Sequence, residues 1–226
     1  MRIAVLGTGM AGRTIAARLA ELGHEVAVGT RDVTVTMART EPDRMGNPPF
    51  QTWAEAHPQV TVAPFDEAAA ASEIVVNATN GEGSIPALTA AGEANLAGKV
   101  LLDIANPLDF STGMPPTLFV KDTDSLGEQI QRAFPAAKVV KTLNTMNAYL
   151  MANPKQLAGG DFSVFLSGDD PDAKATVTEL LRSFGHTDVI DLGDITTARG
   201  PEMMLPIWLR LWNAVGTPMF NFKIVR

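Results

Sequence analysis

At 226 residues, with 46% apolar side chains, the chain can form one large domain, or a major domain with a smaller partner, around an ample core. A formal net charge of −7 argues against nucleic acid or an anionic membrane surface as a general partner, while leaving room for a local basic pocket. Cysteine is absent, which removes disulfides, thiolate metal sites and a cysteine nucleophile. No apolar run approaches the roughly eighteen residues of a membrane span, and the first twenty residues do not have the form of a signal peptide, so a cytoplasmic protein is expected.

The chain opens on Arg2-Ile3-Ala4-Val5-Leu6, a short apolar run typical of a buried parallel strand. Gly7-Thr8-Gly9-Met10-Ala11-Gly12 follows, and then a helical pattern with Ile15, Leu19 and Leu22 on one face, stopped by Gly23. Val26-Ala27-Val28 reads as the next strand. Strand, glycine turn, helix and strand in this order are the setting in which G-x-G-x-x-G means dinucleotide binding. Gly7 allows the tight turn, Gly9 lets a pyrophosphate approach the backbone, and Gly12 lets the helix pack closely on the sheet. The helix N-terminus offers N–H groups and partial positive charge to the phosphates.

The end of the second strand reads Gly29-Thr30-Arg31-Asp32. An NAD site places an acid there for the ribose 2′-hydroxyl, whereas a hydroxyl followed by a guanidinium suits a 2′-phosphate. NADP(H) is therefore expected over NAD, with Asp32 capping the next turn. Residues 32–58 are polar and proline-broken, with a short helix possible over Val33 to Arg39. Arg39 or Arg44 could fold over the adenosine end; alternatively this long connection covers the sheet edge.

Val60 to Ala63 and Ile74 to Ala78 are the next strands, separated by an alanine-rich helix from Asp66 to Ser72. Ala78, Thr79 and Asn80 then lie at a strand's carboxyl end, where doubly wound sheets bind ligands, unless Asn80-Gly81 is only a turn. Ser84 to Ala94 is a helix, and Val100 to Ile104 a strand leading to Ala105-Asn106. Asp103, inside that apolar strand, needs a hydrogen-bond partner and suits a structural role. Residues 108–124 are irregular. Ser125 to Glu128 has capping-box spacing before a helix face of Leu126, Ile130 and Phe134, and Val139-Val140 begins a sixth strand.

From about residue 149 the character shifts. Phe162 to Ser167 is a strand; Asp169, Asp170 and Asp172 mark a helix start by capping rather than a metal site. Val189-Ile190 is a short strand. The tail, Thr196 to Arg226, is unusually apolar through Met203 to Trp212, and its cover is the core, a flat ligand or a second subunit. His24, His57 and His186 each neighbour a glycine or proline or stand at a turn, and are read as turn or exposed residues.

Lys141 and Asn144, at the carboxyl end of the sixth strand, are the one polar pair suited to a carbonyl substrate. No catalytic residue is otherwise required, because a hydride can pass directly between two stacked carriers in a site that orients them and excludes water.

The Gly7–Gly12 motif, Gly29-Thr30-Arg31, Val140-Lys141-Thr142-Leu143-Asn144-Thr145 and the apolar C-terminal helix together resemble the coenzyme F420-dependent NADP reductases, over essentially the whole chain. The resemblance implies a Rossmann-type, doubly wound, mostly parallel α/β sheet over residues 1–148. A small C-terminal α/β part over 149–226 would end in an apolar helix that bears the second cofactor or a dimer surface. It implies hydride transfer between NADP(H) and the deazaflavin F420 without a protein acid or base, in a homodimer serving small-molecule cofactors. By position, Thr8, Gly9, Met10 and Ala11 hold the pyrophosphate and Thr30 with Arg31 the 2′-phosphate. Ala78, Thr79 and Asn80, with Met146 and Ala148, border the nicotinamide; apart from the resemblance, the strand-end position of Ala105 and Asn106 directs them toward the same crevice. The sequence departs from the family in the long loop, and in having Thr34, Val35 and Thr36 where compact archaeal members carry a basic residue. The alternatives are an NADPH-dependent reductase of a small carbonyl, imine or flavin, and a non-catalytic NADP sensor.

Overall fold

The computed structural model describes residues 1–42 and 46–226; Arg44 lies outside the described residues. Strand β1 (Arg2–Leu6) runs through the centre of the sheet and feeds α1 (Met10–Glu21). Next come β2 (Glu25–Thr30), α2 (Val33–Met37), α3 (Phe50–Ala56), β3 (Val60–Pro64), α4 (Phe65–Ala71) and β4 (Ile74–Asn77). The second half of the sheet is built from α5 (Gly81–Ala91), α6 (Glu93–Leu96), β5 (Val100–Asp103), a small hairpin of β6 (Leu108–Asp109) and β7 (Thr117–Leu118), α7 (Leu126–Ala133) and β8 (Lys138–Thr142). The chain finishes with α8 (Ala148–Ala152), β9 (Ser163–Ser167), α9 (Pro171–Phe184), β10 (Asp188–Gly193), α10 (Arg199–Met203) and α11 (Leu205–Val215).

Eight strands form one sheet in the order β10-β9-β8-β5-β4-β1-β2-β3. Every neighbouring pair is parallel except β8 with β9. The portion β3-β2-β1-β4-β5-β8 is the Rossmann order, whose direction of winding reverses between β1 and β4. Strands β9 and β10 extend the same sheet, so nothing in the strand pairing breaks at residue 148.

Alternating strand residues supply two cores, since successive side chains point to opposite faces. On one face Val5, Val76 and Val140 meet Ile15 and Leu19 of α1, Leu150 of α8 and Leu181 of α9. On the other, Leu6, Val75 and Val139 meet Phe65 of α4, Leu88 of α5 and Ile130 of α7. Several helices start as their sequences require: Asp32, Asn80, Ser125, Asn147 and Asp170 each accept a hydrogen bond from a first-turn N–H. Asp170 caps α9, Asp172 lies in its first turn, and Asp169 accepts from the Ile195 N–H at 2.9 Å.

Three expectations need correction. The stretch read as loop-like contains α3, which follows Pro48-Pro49, buries Phe50 and sets Trp53 against the core; the Arg13 guanidinium lies 5.4 Å from the Phe50 ring centre. His186 is buried rather than exposed: Gly185 ends α9 in the left-handed region and turns the chain inward, where a His186 ring nitrogen bonds the Met151 carbonyl at 2.8 Å. Finally, the apolar tail is two helices, because α11 restarts with Pro206 in its first turn. Beyond Gly216 the chain is extended along the start of β9, with the Phe222 carbonyl accepting from the Ser163 N–H at 2.9 Å.

Candidate functional site

At the reversal between β1 and β4, a groove of about 360 Å³ opens at the carboxyl ends of β1, β2 and β4. Gly7, Thr8 and Gly9 form its floor, Thr30 and Arg31 its β2 side, and Ala78, Thr79 and Asn80 its β4 side. The glycines divide by role. Gly7 has φ +123°, and a Cβ there would come within 2.5 Å of the Ala78 carbonyl oxygen. A Cβ on Gly12 would lie 2.1 Å from the Gly7 carbonyl oxygen, so Gly12 serves the approach of α1 to the turn. A Cβ on Gly9 would meet nothing within 4 Å. No internal contact therefore demands glycine at position 9; the open space above it lies at the N-terminus of α1. That N-terminus has no side-chain cap and no acid in its first turn. N–H donors left in this way are of the kind that suit an anion.

At the β2 end, Thr30 is buried and shares a 2.7 Å hydrogen bond between hydroxyls with Thr36 of α2. Arg31 is exposed, and Arg39, just past α2, lines the same groove. Asp32 stands beside them with its carboxylate accepting from the Val35 N–H. On the β4 side, the Thr79 hydroxyl donates to Asn77 Oδ1 at 2.7 Å, and Asn80 both lines the groove and caps α5 through a 2.9 Å bond from the Gly83 N–H.

The remaining residues expected at the cofactor are not among those that line this groove. Met10 is exposed and faces a neighbouring cavity beside Arg13, Trp53 and Tyr149. Ala11 is half-buried on α1, and Gly12 is packed beneath it. Ala105 is buried, Met146 belongs to the core, and Ala148 is the first residue of α8. Asn106 is paired reciprocally with Asn144: each side-chain amide donates to the other residue, at 3.1 Å in both cases.

Lys141 and Asn144 do not face the crevice. Lys141 is 1% exposed. Its Nζ lies 2.9 Å from Asp103 Oδ2 and 2.9 Å from Glu202 Oε1, and it also donates to the Ala105 carbonyl. Burial pushes the ammonium pKa down, but the two carboxylates outweigh that and hold it above the ordinary lysine value. Asn144 is buried too, with its amide donating to the Pro201 carbonyl at 3.0 Å. The carboxyl end of β8 is roofed by α10, which explains both burials. Glu202, which sequence reading did not single out, completes the roof. Its carboxylate accepts from the Leu126 and Gly127 N–H groups of α7 at 2.7 and 3.0 Å. Asp103 also accepts from Asn77 Nδ2 at 2.8 Å, so a continuous polar chain joins Thr79 on the groove wall to α10.

A family model described as NADP oxidoreductase, coenzyme F420-dependent, matches residues 2–107. A crystal structure from Arthrobacter sp. FB24, assigned as a candidate F420-dependent NADP reductase, is 66% identical and superposes with a TM-score of 0.97 over 100% of both chains. The chain belongs to the F420-dependent NADP oxidoreductase family.

Two curated relatives set the breadth of that family's likeness. The F420-dependent NADP reductase of Methanothermobacter marburgensis is 27% identical over 93% of this chain and 92% of its own length. Rat metalloreductase STEAP3 is 30% identical over 92% of this chain, which spans only 38% of that protein. Among the described residues, no helix is long and apolar enough to cross a membrane.

Proposed function

We propose that this chain, an NADP-dependent oxidoreductase by family, moves a hydride between NADP(H) and the deazaflavin coenzyme F420. The carrying observation is the open, uncapped N-terminus of α1 above Gly9, with Thr30 and Arg31 at the far end of the same groove. In this reading the first-turn N–H groups, with Thr8 and Gly9, hold the pyrophosphate. Thr30 and Arg31 hold the 2′-phosphate, Arg31 through its planar fork of donors. Ala78, Thr79 and Asn80 flank the ribose and nicotinamide, and the fixed hydrogen bonds of Thr79 and Asn80 keep that wall rigid.

The two cofactors supply the hydride chemistry when bound; the protein supplies orientation and a water-poor crevice. No proton donor is needed from the chain, and Lys141, committed to two carboxylates, is withdrawn from that role. This weighs against a small-carbonyl reductase built on Lys141 and Asn144. The part from residue 149 onward is read as the wall for the second cofactor, or as a contact between two copies. What supports this is the exposed apolar set Met203, Ile207 and Val215 with Phe110 and Met114 of the hairpin region. Sedimentation of the purified protein distinguishes a dimer from a monomer.

The deciding experiment is anaerobic titration of the NADPH-loaded protein with oxidised F420, followed by absorbance. Stoichiometric loss of the deazaflavin band is expected. NADPH binding without bleaching would sink the F420 assignment and leave the dinucleotide site standing.

A further inference from the structure

Resting on the NADP reading, we propose that Arg39 is a second ligand for the 2′-phosphate and, with Arg31, sets the preference for the phosphorylated nucleotide. Both residues line the groove, one just before and one just after α2 in the chain. Both residues are exposed, and among the described residues neither makes a hydrogen bond or ion pair. Among the described residues Asp32 is the one acid lining the groove, and its carboxylate is engaged at the start of α2. In a chain of net charge −7, both cations line this groove, and neither is ion-paired among the described residues.

The placement of Arg39 is built rather than incidental. Asp32 caps α2, and the Thr30–Thr36 hydroxyl bond pins that helix to the end of β2. A five-residue helix held at both points delivers the residue after its C-cap, Ala38, back to the groove. A phosphomonoester offers three oxygens and up to two negative charges, enough for two guanidinium forks, whereas a ribose hydroxyl offers neither. The effect of Arg39 therefore falls on NADPH and spares NADH.

The test is equilibrium binding of NADPH and NADH, read by nicotinamide fluorescence, on the whole protein and its R39A, R39M, R39K and R31A variants. R39A and R39M should weaken NADPH binding about tenfold or more and change NADH binding less than about twofold; R39K should keep part of the loss back. The NADPH affinity of R39A should also fall less steeply with added salt. The proposal is overturned if R39A leaves NADPH affinity unchanged, or weakens both nucleotides equally. If R31A abolishes the preference while R39A does not, only the Arg39 assignment fails. If the unaltered protein does not prefer NADPH and R31A changes nothing, the NADP reading fails with it.

Discussion

The first turns of α1 and α7 both present backbone N–H groups that the helix itself cannot satisfy. At α7 every means of satisfying them is used. Ser125 accepts from the Glu128 N–H, and the Glu202 carboxylate takes the N–H groups of Leu126 and Gly127. At α1 there is no side-chain cap, no acid in the first turn, and open space over Gly9. The same donor geometry is closed by the protein's own carboxylate in one place and left open in the other, where the proposed nucleotide would bind. A helix end stays available to a ligand when the chain withholds the side chain that would otherwise fill it.

Removing the occupant of α7 should have the largest effect. E202A leaves two buried N–H groups without an acceptor and strips Lys141 of one counter-charge. A loss of about 3–5 kcal/mol in urea unfolding is expected, as for other buried pairs broken on one side. Adding a methyl group to the α1 turn should divide along the glycine roles. G12A forces a backbone contact and should cost about 1–3 kcal/mol of stability. G9A should leave stability within about 0.5 kcal/mol while lowering NADPH affinity about tenfold by fluorescence titration. Equal effects of the two substitutions would refute the contrast. S125A removes only one of α7's acceptors and should cost about 1 kcal/mol, by thermal melts.

The smallest effect is on the acid side. The bond from Arg199 holds the Glu128 carboxyl below the usual glutamate value, against the opposing effect of burial. The unfolded chain then binds this proton at higher pH than the folded one. The contribution is complete above the ordinary glutamate pKa and fades as pH falls through it toward the folded value. Urea melts of E128Q between about pH 5 and pH 3 should lose part of the slope that the unaltered protein shows.

Local signals were readable from the sequence alone: the strand–glycine–helix unit, the Thr30-Arg31 pair and the capping residues depend on near neighbours. What was not readable depends on segments that arrive late in the chain. Lys141 sits at a strand end where a ligand-facing residue belongs, and only the placement of Glu202 from α10 turns it into a buried ion cluster. Asn144 is diverted by Pro201 of the same segment. α3 escaped notice because Phe50 and Trp53 are a short apolar signal among prolines. Arg39 was one of two arginines that could reach the adenosine end, and α2 with its two anchoring bonds brings it to the groove.

The buried ion cluster also orders events in time. A chain made from its amino end presents Asp103 and Lys141 well before residue 202 follows them. Until then α7 lacks the acceptor for its first N–H groups, and β8 lacks its roof. The Rossmann half therefore waits on a later segment: the acceptor for the first N–H groups of α7 is a glutamate that follows β8, β9 and β10 in the chain. A nascent chain halted before that residue should be open to proteases at the end of β8, whatever nucleotide is supplied.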